Sequence, residues 1–372
     1  MYILNDFLLT LPLVLYALLR IRELISRRLG KNLFLGFYLI VVLAFPLSQV
    51  LSRRSVAAWS RTLVLVGYYA LPLLLYIVLI VILSDLVIGL LRLLRVFSRG
   101  AVGAPGFKKA RLAFYLLAPI AVVGCGIWNF HHIRYHEFPV EIPRRSSAVA
   151  QLKIVFAADF HLGEQTEADF MARFADKVNA LKPDIVLLGG DILEGDRRDT
   201  ALAGFEAGFR RIESRYGVFG VLGNHDRLAG ARADFFDKAG IRILRDEVVK
   251  IDDAFYLAGR LDARFAGRKS AAVLLDDTPE DLPVILLDHR PTDFDAVSRT
   301  RTDIQLSGHT HHGQLFPINL ITDREYELSW GELQKGSTHF YVTSGIQLWG
   351  PRVRTIGYSE IVVLNVALGD TK

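Results

Sequence analysis

The chain has almost no cysteine, and its N-terminal part has almost no acid. Cys125 is the single thiol and sits in an apolar run. An intrachain disulfide framework and a cysteine zinc site are therefore excluded, while the redox compartment stays open. Through Arg145 there are 5 Asp and Glu against 17 Lys and Arg, and beyond it 34 against 27. The formal charge of +5 thus averages two unlike parts, one of net +12 and one of net −7. Since the basic part is also the apolar one, its charge reads as membrane-flanking residues and not as a nucleic-acid patch. The acidic remainder likewise argues against a binder of phosphate backbones, so no nucleic-acid partner is expected.

What is present comes in blocks. A mean hydropathy of +0.30 with 22% charged residues is too apolar for an ordinary soluble enzyme and too charged for a pure membrane bundle. Four apolar runs, at residues 3–19, 33–51, 63–83 and 112–130, contain no Lys or Arg. Each is close to the roughly 20 residues that cross a hydrocarbon core of about 30 Å, which predicts about four transmembrane helices. Prolines 12, 46, 72 and 119 are tolerated there as kinks. The first run is the weakest, being interrupted by Asn5, Asp6 and Pro12. A removable signal peptide is the alternative for it, but no basic residue precedes it and no small-residue cleavage site is clear. Asp85, followed by Arg92 and Arg95, reads as an interfacial acid near a helix end.

Beyond residue 136 short apolar strands alternate with amphipathic helices. Residues 138–142 alternate like a strand, and 152–158 form a buried strand ending at Asp159. A helix is predicted over 167–181, after which 184–188 run into Gly189-Gly190-Asp191. A second helix over 201–215 leads to a strand at 217–222 that ends at Gly223-Asn224-His225-Asp226. Residues 284–287 stop at His289, and 304–306 stop at Gly308-His309-Thr310-His311-His312-Gly313-Gln314. Five times an apolar strand is followed by Asp, His or Asn, and open α/β sheets place ligands outside the carboxyl ends of their strands.

Singly, each of these residues has a bland explanation as a turn, a cap or a locally satisfied histidine. Together, Asp159, His161, Asp191, Asn224, His225, His289, His309 and His311 offer carboxylate, amide and imidazole donors without thiolate. That set suits Mn²⁺, Fe²⁺/³⁺, Zn²⁺ or Co²⁺ and exceeds what one tetrahedral ion needs. Two ions sharing one carboxylate is the economical arrangement.

At these motifs the sequence resembles the calcineurin-like metallophosphoesterases, whose pattern is Asp-x-His, Gly-Asp, Gly-Asn-His-Asp/Glu, a lone His, then Gly-His-x-His. All five blocks occur in order, as Asp159-Phe160-His161, Gly190-Asp191, Gly223-Asn224-His225-Asp226, His289 and Gly308-His309-Thr310-His311. The Gly-His-Thr-His-x-Gly-Gln form and the tail with Gly350-Pro351 and Arg354 look like the membrane-tethered phosphohydrolase subgroup. The resemblance implies a four-layer α/β/β/α sandwich over residues 137–372, preceded by a transmembrane helical region over 1–136. It also implies that Asp159, His161, Asp191 and His311 hold one divalent ion and that Asp191, Asn224, His289 and His309 hold the other. Two such ions about 3.5–4 Å apart lower the pKa of a bridging water towards about 7 and clamp the attacking and leaving oxygens at phosphorus. His225 remains as the group that stabilises the transition state or protonates the leaving alkoxide, with Asp226 as its orienting partner. Arg227, Arg290, Arg352 and Arg354 are candidate phosphate anchors, because guanidinium forks suit planar anions. Two departures stand out: His312 occupies the place of a usual Gly, and Arg290 follows His289 where Asn is usual.

The expected function is that of a membrane-anchored phosphoesterase of the phosphoric ester hydrolase class. It would cleave a phosphodiester, phosphomonoester or pyrophosphate bond of a lipid-linked substrate by metal-bound hydroxide attack. A hydrolase of soluble nucleotides, or an inactive transporter or scaffold, is the alternative. Basic residues cluster at Arg20–Lys31 and Arg92–Arg111, whereas only Arg53, Arg54 and Arg61 fall in the loop between the second and third spans. The positive-inside rule then puts the catalytic domain on the non-cytoplasmic side of a bacterial-type inner membrane. A reporter active only in the cytoplasm, fused after Lys372, is expected to be silent; a bright signal would refute this placement.

Overall fold

The computed structural model describes residues 2–52, 58–143, 145–163, 165–194, 202–228 and 233–369. The chain divides into two compact units, Met1–Trp128 with Gly350–Thr355, and Asn129–Trp349 with Ile356–Lys372. The six-residue segment Gly350–Thr355 therefore leaves the sandwich to which the sequence assigns it and packs with the helices. The Arg354 backbone N–H donates to the Gly126 carbonyl at 3.0 Å, and Tyr76 meets Thr355 through their hydroxyls.

The first unit is built from α1 (Tyr2–Leu24), α2 (Arg28–Ser52), α3 (Ala58–Leu93), the short α4 (Arg99–Gly103) and α5 (Pro105–His131). Among the described residues, three stretches are long and apolar enough to cross a membrane: Arg28–Val50, Thr62–Leu93 and Pro105–His131. The first predicted run does form a helix, but its side chains before Thr10 lie outside the described residues. Ala17, Ile21, Tyr38, Val81 and Tyr115 pack into one buried cluster. Asp85 lies eight residues before the end of the Thr62–Leu93 stretch. Its carboxylate accepts from Tyr16 at 2.6 Å, Arg20 Nε at 2.5 Å and Tyr115 at 2.8 Å, and it pairs with Arg111. A charge in apolar surroundings persists only when paired, and this one ties α1, α3 and α5 together.

The second unit holds two six-stranded mixed sheets. One contains β1 (Arg134–Pro143), β2 (Gln151–Ala157), β3 (Ile185–Leu188), β4 (Val218–Gly220), β5 (Ile241–Ile243) and β12 (Glu360–Gly369), in the order β1-β12-β2-β3-β4-β5. The other contains β6 (Glu247–Ile251), β7 (Phe255–Gly259), β8 (Val284–Leu287), β9 (Ile304–Ser307), β10 (Gly331–Lys335) and β11 (Thr338–Val342), in the order β10-β11-β9-β8-β7-β6. Strands β2 to β5 are parallel, as are β7, β8, β9 and β11. Parallel strands are covered on both faces, which is why these segments read as unbroken apolar runs.

The alternation of side chains sorts the layers. Ile154, Phe156, Ile185 and Leu187 of the first sheet join Leu257, Ile285, Leu287, Ile304 and Leu306 of the second in one inner core. The opposite face of the first sheet, with Val155, Ala157, Val186 and Leu188, packs on Phe170, Phe174 and Val178 of α6 (Phe170–Leu181) and on Phe205 and Phe209 of α7 (Leu202–Arg210). The second sheet's outer face, with Tyr256, Ala258, Val284 and Leu286, packs on Leu274 and Phe294 from short helices. The expected α/β/β/α sandwich is thus present. At Gly189 a Cβ would come within 2.6 Å of the Phe156 ring, so the inner core closes tightly at the end of β3. Phe156→Ala is expected to cost about 3–5 kcal/mol, the usual range for a large core truncation. Thermal unfolding of the full chain in detergent should show the sandwich transition shifted down.

Candidate metal centre

The loops leaving β2, β3, β4, β8 and β9 gather at one end of the sheets. Their backbones are forced into conformations that L-residues seldom adopt. Asp159 has φ 61°, His161 43°, Asp191 50°, His309 74° and His311 49°. Such left-handed non-glycine residues persist only where surrounding contacts over-determine them, and they cluster at functional sites. Here the loops cross-tie: Asp159 N–H donates to the Gly190 carbonyl (3.0 Å), His161 N–H to Asp191 (2.9 Å) and Gly308 N–H to His289 (2.9 Å). Two motif glycines are steric necessities. A Cβ on Gly308 would lie 2.6 Å from Asp159 Oδ2, and one on Gly223 would overlap Asp191 Oδ1.

These constraints bring the ligand-type side chains into three overlapping groups: Asp159, His161 and His311; His161, Asp191 and His225; and Asp191, His289 and His309. Asp159 accepts the His309 N–H at 3.1 Å, and its Oδ1 lies 3.7 Å from His311 Nε2. Asp191 Oδ2 lies 3.2 Å from His289 Nε2 and 3.9 Å from His161 Nε2, while Oδ1 accepts the His225 N–H at 2.7 Å. Asn224 is buried beside them.

The donor chemistry fits divalent cations. His161 Nε2 and His311 Nε2 face one another at 3.1 Å, and two imidazole nitrogens so placed share at most one proton. His289 donates through Nδ1 to the Gly189 carbonyl at 2.8 Å, which leaves Nε2 facing Asp191 with no hydrogen bond among the described residues. A backbone carbonyl behind Nδ1 is the usual device for aiming Nε2 at a metal.

The buried carboxylates draw positive charge into this centre. Burial pushes the Asp159 carboxyl up to about 6 against the pull of His289. Burial acts on Asp191 too, but His289 and His161 hold it well below the ordinary carboxylate range. Burial would lower His289, yet Asp191 and Asp159 carry it up to about 10. Burial, joined by the charges of His289 and Arg290, drives His309 down to about 3, which keeps its ring neutral, the form a metal ion would require.

Glu194 is the residue that sequence reasoning missed. Its Oε2 lies 2.6 Å from His161 Nδ1 and its Oε1 3.0 Å from His225 Nδ1, so one carboxylate orients both rings. It belongs to none of the five motif blocks; its only signal was an acid three residues after Asp191. Asp226, expected to orient His225, does something else. It is fully buried, and its carboxylate accepts three backbone N–H groups, from Ile192 (2.9 Å), Leu193 (2.8 Å) and Gly223 (2.8 Å). With both oxygens so engaged it locks the loop after β3 against the loop after β4.

The arginines separate as well. Arg290 donates from Nε to Asp262 at 2.7 Å and approaches Asn224 Oδ1 at 3.4 Å, so it stands beside the second group. Arg354 is fully buried in the unit with the helices, which removes it as a solvent-side phosphate anchor. Arg352 belongs to the same segment, and the Arg227 side chain lies outside the described residues. His312 stays out of the ligand groups, its Nδ1 2.9 Å from Ser329 Oγ and its ring against Trp330. Trp349 is exposed, with its ring centroid 6.4 Å from that of His225.

Glu194→Gln is expected to lower Mn²⁺ affinity or turnover by about 10- to 100-fold, the usual cost of removing a partner that aims a metal ligand. His161 and His225 outweigh burial and hold the Glu194 carboxyl down to about 2. Its contribution is therefore complete above its ordinary range near 4.5 and is lost as pH falls towards 2. Mn²⁺ titrations of both proteins above pH 5 should show an undiminished gap, and a gap that closes there would refute the role.

Residues 152–313 match the calcineurin-like phosphoesterase family. The chain is 34% identical over 236 residues to an uncharacterised metallophosphoesterase of Campylobacter jejuni, covering 61% of each protein. It is 32% identical over 225 residues to an uncharacterised metallophosphoesterase of Helicobacter pylori, covering 58% of this chain and 60% of that one. A transmembrane protein with metallophosphoesterase domain from Bos taurus is 31% identical over 248 residues, covering 60% of this chain and 55% of that one. The chain thus spans about three fifths of the length of the bacterial relatives. With overlapping histidine and carboxylate groups at the strand ends of a paired-sheet sandwich, and three helices among the described residues long and apolar enough to cross a membrane, residues 152–313 of this chain are similar to the calcineurin-like phosphoesterases.

Proposed function

We propose that the protein is a membrane-anchored phosphoesterase with two divalent ions, Mn²⁺, Fe²⁺/³⁺ or Zn²⁺, that hydrolyses a phosphodiester, phosphomonoester or pyrophosphate bond of a lipid-linked substrate. The observation that carries this reading is the position of Asp191, one carboxylate common to the His161 and the His289 groups. Asp159, His161, Asp191 and His311 would hold one ion, and Asp191, Asn224, His289 and His309 the other. When bound, the two ions would supply an activated water and the positive charge that displacement at phosphorus calls for.

The chain's own groups do the remaining work. Glu194 accepts from His225 Nδ1, which fixes the ring and leaves Nε2 as the nitrogen for a departing alkoxide. Arg290, held by Asp262, places a guanidinium next to Asn224 where a phosphate oxygen would arrive. Asp226 keeps the loop bearing Asp191 in its strained conformation without touching substrate. The apolar helices favour a substrate that arrives from a bilayer, and the basic loops favour a catalytic domain on the non-cytoplasmic side.

Purified full-length protein with Mn²⁺ should hydrolyse a generic aryl phosphodiester or monoester. Asp191→Ala should abolish turnover, because it removes the group common to both ion sites. His225→Ala should lower kcat by about 10²- to 10⁴-fold while retaining Mn²⁺, as expected for loss of a general acid. Full activity in Asp191→Ala would sink the two-ion mechanism.

A further inference from the structure

The segment that follows the metal ligands is amphipathic in the inverse sense. Helix α12, here the seven residues Asn319–Glu325, buries its polar Asn319 and exposes Leu320 and Ile321 at 60% and 63%. Just ahead of it Phe316 and Ile318 are exposed at 47% and 38%. Among the described residues of the sandwich unit, the other large apolar side chains so exposed are Tyr135, Val273 and Trp349. Exposed apolar residues are normally scattered singly, whereas four here fall within six positions.

This patch is fixed against the metal loop. Gly313, two residues after His311, has φ 70°, and a Cβ there would meet the Asn319 Cα at 2.7 Å. The start of α12 is therefore packed directly on the turn that carries His309 and His311. Chain connectivity supplies a lipid surface. The apolar stretch Pro105–His131 ends two residues before β1 begins at Arg134, a leash of roughly 10 Å. A domain tethered so closely meets a bilayer at high effective concentration, and an exposed apolar patch on it finds lipid before any soluble partner.

We propose that the apolar lip Phe316–Ile321 inserts into the bilayer interface beside the metal centre and receives the hydrocarbon part of a lipid-linked phosphoester. The second half of this statement rests on the phosphoesterase reading; the first half does not. Leu320 and Ile321 enter the acyl boundary while Asn319 keeps the helix seated on the loop, so the phosphoester stays near His309 and His311 as its chain remains in lipid. Burial of such side chains to a depth of about 5–10 Å is the ordinary mode of interfacial segments.

The test uses full-length protein in phosphatidylcholine vesicles. Leu320→Cys is made in a Cys125→Ala background and carries an environment-sensitive fluorophore; Val273→Cys, equally exposed on another helix, is the reference. Quenching by lipids with a nitroxide near the headgroup is expected to be strong at position 320 and weak at 273. Equal quenching at the two positions would overturn the proposal. Disulfide-linked dimers through position 320 without quenching would assign the face to a second copy and overturn it as well. In the activity arm, Leu320→Ser with Ile321→Ser should lower turnover of a long-chain phosphodiester in vesicles by about tenfold or more and leave a water-soluble aryl phosphodiester unchanged. Equal losses on both substrates would refute the acyl-receiving role. If the unaltered protein hydrolyses neither, the phosphoesterase reading fails, and the quenching result still decides whether the lip meets lipid.

Discussion

The Asp191 carboxylate is the interaction on which the rest of the sandwich depends. One oxygen lies between His289 and His161, and the other holds the His225 backbone. A second carboxylate, Asp159, is buried beside it, and two buried acids this close repel unless cationic charge stands between or around them. The protein supplies part of that charge through His289 and His161, and the remainder of the site is arranged to receive more. Gly223 gives up its side chain to admit the Asp191 carboxylate, and Gly308 does the same for Asp159.

Holding such a cluster needs a rigid frame, and the two sheets provide it. Four parallel strands in each sheet bring their carboxyl ends to one side, so the residues after them converge although they are far apart in sequence. Left-handed backbone at five of the ligand-type residues is unfavourable by itself, typically about 1–3 kcal/mol each. It is tolerated because the loops hydrogen-bond to one another and because Asp226 fastens two of them through three backbone N–H groups. The strain is thus stored next to the site and balanced by the cores beneath it.

The helical unit solves a smaller version of the same problem. Asp85 stands in an apolar stretch and survives by engaging two arginines and two tyrosines from neighbouring helices. In the metal centre the carboxylates meet imidazoles, which bind and release cations; among the helices the carboxylate meets guanidinium, which stays charged. The first arrangement suits exchange with an ion, and the second suits a permanent tie.

Much of this was readable in the chain itself, because local rules determine it. Apolar runs of membrane-spanning length, unbroken apolar strands and acids or histidines at their ends announced the helices, the parallel sheets and the gathering of carboxylates and imidazoles that could hold a metal ion. Strands β6, β10 and β12 were not singled out: β6 and β10 are half-exposed edge strands without an apolar run, and β12 lies between β1 and β2, partners distant in sequence. Tertiary structure alone decided the partners of side chains that carry no motif. Glu194 reaches His161 and His225 only because the loop after β3 folds over both, and Asp226 turns away from its neighbour His225 because three backbone N–H groups claim it. Arg354 and Arg290 look alike in sequence, yet one is buried with the helices and the other stands at Asn224. The sequence determined which donors exist and at which strand ends, a matter of composition and period. Which donor faces which is a matter of long-range packing, and only the folded chain decided that Glu194, outside every motif, would hold both His161 and His225.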